Sequence, residues 1–541
     1  MAHALTGDGV MTSAESTLRG PIRAVLLAGI SALAVSVSGS GAGASTFLLP
    51  GSLLISTTTY SDAGAVSNLV ANSSKLPGSK AGKTSTAVSG GNYATVFNNA
   101  SVDGSFGVTS PITLQDINVT TSPGSVNGTL AINPNVVSTS FSSKSELGLN
   151  IAKTSSGLVA TFMGYAGGGV GNLDVSNSDT TAYKDTTNPV TSFFAPGSNQ
   201  TYAFNRTVVA VGANGNVSTT QTLAYGGNNG RAAVLAPNGL YYTVGNSNNG
   251  SGTPTQLTTS TGLEVVTPGS TPNSTMVDPS FQSIPGDKAG KDNNFRGLTL
   301  YNGNLYFTKG SGSNGIDTVY TVSNPGGQLP TTTTANSASI SILPGFPTGS
   351  AKAGPDYTPF GLFFANRDTL YVADEGSGDA TDTSLHAGLE KWSLIKGTWK
   401  LDYILQDDLI GTQYTPKGTN SGISGSWPTV TTVGLRNLAG RVNKDGTVTL
   451  WATTSTSSAS GDNGADPNEI VQITDVLSDK TLPNETFSVL DGPEYGLRYG
   501  GVAFAATTPL PSAWTMMLIG LVGLGFVGFR RRRGSALPAA A

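Results

Sequence analysis

A Leu-Tyr pair recurs at Leu240-Tyr241, Leu305-Tyr306 and Leu370-Tyr371, 65 residues apart both times. Each pair sits in a short apolar run, and each run follows another across a turn. The turns are Pro237-Asn238-Gly239, Asn302-Gly303 and Asn366-Arg367-Asp368. Two apolar runs joined by Asn-Gly or a similar turn form a β-hairpin. A fourth copy, at 442–451, turns at Asp445-Gly446. Third strands are expected at 318–322, 389–394 and 470–474, and in the third copy Lys396-Gly397-Thr398 leads into a fourth strand at 399–405. Four antiparallel strands repeated along a chain are the unit of a β-propeller, whose first strands line a central axis. A β-sandwich array or a solenoid suits such hairpins and such a period less well.

Four blades are legible between residues 225 and 480. The segments 104–118, 157–165 and 208–217 supply strands of further blades, giving an all-β β-propeller of about six to eight. A strand at 500–504 is expected to pair with the N-terminal blade and close the ring. Composition agrees, with 71 glycines and only 11% charged residues in 541. Typical blades take about 40–50 residues, so the longer period implies long loops between strands. The pattern Gly-Leu, turn, Leu-Tyr-Val-Ala-Asp, seen best at 361–374, resembles blades of the NHL and gluconolactonase-like propellers. Enzymes of that kind hold a metal at the axis with acidic and amide groups.

The same inventory narrows the chemistry. Without cysteine there are no disulfides, thiolate zinc sites or cysteine nucleophile. His386 is the one histidine beyond the N-terminal segment and reads as a surface loop residue, with no Gly-x-Ser-x-Gly elbow to partner it. A net charge of −4 argues against nucleic acid as partner. Asp374, Glu375, Asp379 and Asp382, spaced by glycines, read first as a solvated acidic turn, and they also offer oxygen ligands for a hard cation such as calcium, although out of register with an EF-hand loop. Asp462, Asp466 and Glu469 form a second acidic group. The polar and aromatic segments 292–296 and 356–360 precede first strands, near one mouth of a propeller. They suit a carbohydrate or peptide surface, or packing between blades. The glycine-rich 164–171 lacks the Lys-Ser/Thr of a phosphate loop.

The two ends carry an address. Arg19 and Arg23 lead into an apolar run, and Ala42-Gly43-Ala44 offers a signal-peptidase site, so 1–44 is expected to be a signal peptide with a signal helix cleaved after Ala44. The body spans 45–508. In the tail 509–541, Pro509-Leu510-Pro511-Ser512 precedes an apolar stretch, 514–529, and then Arg530-Arg531-Arg532-Arg533. That stretch is expected to be a transmembrane helix whose arginines stay cytoplasmic. The tail resembles the PEP-CTERM sorting signal of Gram-negative bacteria, with Pro-Leu-Pro in place of Pro-Glu-Pro. The resemblance implies processing by an exosortase and delivery to the cell surface or extracellular matrix, as in a biofilm. The expected protein is therefore an exported, non-catalytic propeller that contacts glycans or proteins and requires no cofactor. The alternatives are a calcium-dependent propeller hydrolase or lactonase and a purely structural envelope component.

Overall fold

The computed structural model describes residues 47–70, 73–78, 84–86, 106–197, 202–248, 255–323, 326–353, 357–379, 386–420, 423–460 and 462–506. The expected signal and transmembrane helices, with Ala42, Ala44, Pro509–Ser512 and Arg530–Arg533, lie outside them. The described residues form a six-bladed β-propeller, the low end of the expected range.

Blades three to six are the repeats read from the sequence. The third runs Gly230–Leu235, Tyr241–Gly245, Gly262–Val266 and Thr275–Met276. The fourth runs Leu298–Tyr301, Asn304–Lys309, Thr318–Ser323 and Ser339–Ile342. Pro359–Asn366, Thr369–Asp374, Gly388–Ile395 and Thr398–Leu405 make the fifth. Val430–Val442, Thr447–Ser458, Ile470–Val476 and Ser488–Asp491 make the sixth. The Leu-Tyr pairs thus mark each second strand. At Tyr301↔Asn304 the hairpin closes through two residues, Asn302 at φ 48° and Gly303 at φ 79°. Both lie in the left-handed region, which asparagine and glycine tolerate best.

The second blade contains Asn150–Thr154, Gly157–Ala166, Arg206–Gly212 and Val217–Thr222, so two of the further strands belong to one blade. The first blade is completed by the chain's other end. Leu497–Phe504 lies beside Leu53–Thr59, followed by Ile112–Ile117 and Val126–Ile132. Its register runs from Leu53↔Phe504 to Thr59↔Leu497. This is the expected closure, and it leaves no seam in the ring.

The two faces differ. First-to-second connections are tight, such as 302–303 and 367–368, and define a turn face. Second-to-third connections are long, including 167–205, 246–261 and 375–387, and lie on the opposite face, hereafter the loop face. The chain also enters every inner strand from the loop face.

Inner strands approach one another closely around the axis. A side-chain carbon on Gly297 would lie 1.8 Å from the Phe360 carbonyl oxygen, and one on Gly361 would lie 2.6 Å from that of Arg436. Between them is an axial cavity of about 200 Å³ lined by all six inner strands, among them Gly148, Ala232, Gly297, Gly361, Gly440 and Val502. Farther out, blades pack through apolar and aromatic contacts. Tyr301 and Phe364 stack at 4.6 Å, and Phe346 and Trp392 at 4.1 Å. The fifth and sixth blades also share a polar knot. Lys391 and Asp475, both fully buried, pair at 2.8 Å, and the Tyr371 and Tyr403 hydroxyls donate to the same carboxylate.

Candidate anion-binding site at the axial mouth

Where inner strands begin on the loop face, five of the six blades place a cation. Arg231 is the second residue of its strand, Arg296 and Lys144 stand just before theirs, Arg498 is second in Leu497–Phe504, and Arg436 lies at a register shift in Val430–Val442. Residues adjoining Arg231, Arg296 and Arg436 line the axial cavity, so this cluster forms its mouth. The fifth blade contributes Phe360, whose ring lies 5.4 Å under the Arg296 guanidinium, and Glu375 from the loop after its second strand.

Glu375 bridges two blades. One oxygen accepts from Arg296 and the other from Arg436 Nε at 3.1 Å. Burial alone would raise its carboxyl, but Arg296, Arg436 and Lys144 outweigh that and hold it well below the usual range. Arg231 donates to Asn229 Oδ1 at 3.0 Å and to the Phe295 carbonyl at 2.7 Å. Burial, reinforced by Arg296, pushes it down to about 9. Burial also lowers the Lys144 ammonium, with Glu375 opposing and Arg436 adding to the effect. Glu146 faces the same cluster, but its oxygens already accept from Tyr165, Thr139 and the Ser140 amide, at 2.6, 2.7 and 3.0 Å.

Asp462 is the third carboxyl in reach. Burial pushes it up to about 7 in spite of nearby Lys144, so near neutrality it offers only part of a charge. Lys144, Arg231, Arg296 and Arg436 therefore outnumber the carboxylates that oppose them. Arg296 Nε and Arg436 Nη2 are buried with no hydrogen-bond partner among the described residues. A buried N–H donor left unpaired is costly, and an anionic acceptor relieves it.

The sequence-derived candidates are distributed differently. Asp374 is fully committed: it accepts from the Thr358 amide at 2.7 Å, the Thr358 hydroxyl and the Gly376 amide at 2.8 Å. Glu375 points into the cation cluster, Asp379 is exposed, and Asp382 lies outside the described residues. Asp466 accepts from Trp427 at 2.9 Å and from Ser458 and Ser460 at 2.6 and 3.0 Å. Burial raises Glu469 to about 6. Among the described residues, no three His, Asp or Glu side chains gather as metal ligands would.

His386 is more than a surface residue. Its Nδ1 lies 2.5 Å from Glu390, which also accepts from Tyr357 at 3.1 Å and Trp392 at 2.7 Å, and the Tyr357 ring meets the imidazole edge-on at 5.0 Å. Segment 292–296 and the described part of 356–360, residues 357–360, do approach the mouth, but Phe295, Tyr357 and Phe360 are buried between blades. Sequence reasoning missed the cations. A signal was present: Arg231 and Arg296 are themselves 65 residues apart, in phase with the Leu-Tyr pairs.

Fold and site together define a six-bladed propeller with a cationic axial mouth. No protein-family model and no curated protein matches the chain. Of the expected resemblance to NHL and gluconolactonase-like propellers, the β-propeller fold is what the structure shows. Among solved structures the chain is similar to a PL25 polysaccharide lyase, an ulvan lyase, determined with a bound -[GlcA(1-4)Rha3S]- ligand. The identity is 10% and the TM-score 0.28, over 74% of this chain and 91% of that one. A second ulvan lyase structure matches at 10% identity and a TM-score of 0.26, over 73% and 88%. Likeness at this level carries no inference about activity.

Proposed function

We propose that the chain is an exported surface or matrix propeller that captures an anionic ligand at its axial mouth. The observation that carries this reading is the surplus of buried cations, with two guanidinium N–H groups left unpaired. Of the ligands a surface propeller meets, the mouth selects those bearing carboxylate or sulfate, whether glycan or protein. The hydrolase reading gains nothing from Asp374 and Glu375, whose oxygens are held by protein donors.

Galacturonate titrated into the purified body by calorimetry tests the reading. Binding is expected, it weakens as NaCl rises from 50 to 300 mM through screening of the charge attraction, and glucose does not bind. Equal binding of glucose and galacturonate, or binding indifferent to salt, would contradict it.

Delivery by a signal peptide and an exosortase-processed tail is part of the same proposal. It rests on the basic and apolar start and on the order proline motif, apolar stretch, Arg530–Arg533. Among the described residues no helix is long and apolar enough to cross a membrane, and 509–541 lies outside them. Intact-mass analysis of protein from native cells is expected to show a product lacking both ends. Retention of Arg530–Arg533 in every molecule would leave a plain anchor in place of a sorting signal.

A further inference from the structure

The longest loop of the second blade, 167–205, carries a cluster of aromatic side chains outside the blade's strands. A short helix, Pro189–Phe194, is capped by Asn188 and ends in Phe193 and Phe194. Phe194 is 39% exposed although it is a phenyl ring. It stacks on Tyr202 at 4.5 Å with planes 25° apart, meets Phe193 edge-on at 4.9 Å, and Tyr202 in turn meets Phe204 at 5.3 Å. The Tyr202 hydroxyl is pinned to the Leu173 carbonyl at 2.8 Å. The result is a fixed shelf of partly exposed rings.

This shelf is tied to the mouth. The buried Arg206 donates to the carbonyls of Asp179 at 3.1 Å, Phe204 at 2.7 Å and Ser176 at 3.0 Å, and also to that of Asn228. The Gly227 amide donates to Ser178 at 2.8 Å, and Asn229 to Ser143 at 2.9 Å. Asn228 and Asn229 lead directly into Arg231, and Ser143 precedes Lys144. The loop that presents the rings is thus clamped to the segment that leads into Arg231, and that segment is bonded in turn to the one that carries Lys144, on the same face.

We infer that the shelf is a stacking subsite for an acidic polysaccharide that also places a carboxylate in the axial mouth. The inference rests on the anion-binding reading and adds the ligand class. A pyranose offers one flat face of polarised C–H groups to the negative face of an aromatic ring while its hydroxyls stay in water. An open, rigid shelf suits that geometry, whereas an apolar peptide side chain needs a pocket. A uronate chain supplies both parts, a sugar face and a carboxylate, in every residue.

The test uses the full chain and compares galacturonate with its hexamer by calorimetry. The hexamer is expected to bind about tenfold more tightly, as one stacked ring adding roughly 1.4 kcal/mol would give. Phe194→Ala removes that gain and leaves the affinity for the monomer unchanged, while Phe194→Trp keeps it. Thermal melts check the fold: Phe194→Ala, which loses the ring contacts with Tyr202 and Phe193, is expected to melt slightly lower in one cooperative step, and Phe194→Trp close to the parent. A Phe194→Ala variant that binds the hexamer like the parent overturns the subsite, as does a parent protein with no preference for the hexamer. Hexaglutamate binding more tightly than the uronate hexamer and losing affinity in Phe194→Ala would reassign the shelf to an acidic protein. If neither uronate binds the parent, the anion-binding reading itself fails.

Discussion

Lys391→Met is expected to lower the unfolding free energy by about 3–5 kcal/mol, because it leaves the Asp475 carboxylate buried without a counter-charge. The pair is shielded from solvent at 2.8 Å, and the Tyr371 and Tyr403 hydroxyls, the Val476 carbonyl and the Glu485 carboxyl, which burial and Asp475 push up to about 7, surround it. Lys391→Met with Asp475→Asn removes both charges and keeps an oxygen for the tyrosines. That double variant is expected to recover most of the loss, since the damage lies in an uncompensated charge more than in a lost attraction. Urea unfolding at pH 7, read as midpoint at constant m, measures both. A double variant as unstable as the single one would show that the knot matters for its shape alone.

Arg436→Gln is expected to weaken galacturonate binding about 30-fold or more, the usual cost of truncating one member of a buried, hydrogen-bonded charge pair. Arg436 offers the unpaired Nη2 and also helps hold Glu375 in place. A companion effect appears in the pH dependence. Asp462, raised by burial to about 7, is neutral below that value and negative above it. Affinity for a uronate, ionised throughout, should therefore fall as pH rises through about 7, and Lys144, also lowered by burial, extends the fall at higher pH. Asp462→Asn should flatten the fall near 7. For stability the sign runs the same way. The fold holds the Asp462 proton more tightly than the unfolded chain, so its contribution is full below 3.8 and is lost as pH climbs to about 7. Affinity that is flat across this range in the parent would remove Asp462 from the site.

The blades were legible because a hairpin writes its geometry locally. Asn302-Gly303 dictates a two-residue turn, and Leu305-Tyr306 must then lie on the second strand. Blade closure was legible for a related reason, since a strand at the chain end has to find an edge. The first two blades were harder to read, because long stretches of sequence between Thr59 and Ile112 and between Ala166 and Arg206 break the period. The mouth was obscured by its chemistry. Lys144, Arg231, Arg296 and Arg436 are scattered over nearly 300 residues, and an isolated arginine in sequence looks like surface. Only the ring brings them together. Conversely, Asp374 and Glu375 are adjacent and invite a shared role, but the strand ends between them, and one caps Thr358 while the other bridges two arginines. His386 gave no sign that Glu390, four residues on, would sit against its ring nitrogen.

The strand Leu497–Phe504 descends from the loop face to the turn face, and among the described residues its only sheet neighbour is Leu53–Thr59. The chain beyond it therefore departs from the turn face, with Ala505 still hydrogen-bonded to Ser52 at 2.9 Å. A tether attached through that end would hold the molecule with its cationic mouth pointing away from the anchorage. Drag on a captured polymer would then travel along the strand's own length. The rungs between Leu497–Phe504 and Leu53–Thr59 would be sheared together, whereas peeling would break them in turn. With such a tether, the joint that closes the ring would also be a mechanical clamp between the captured polymer and the anchorage.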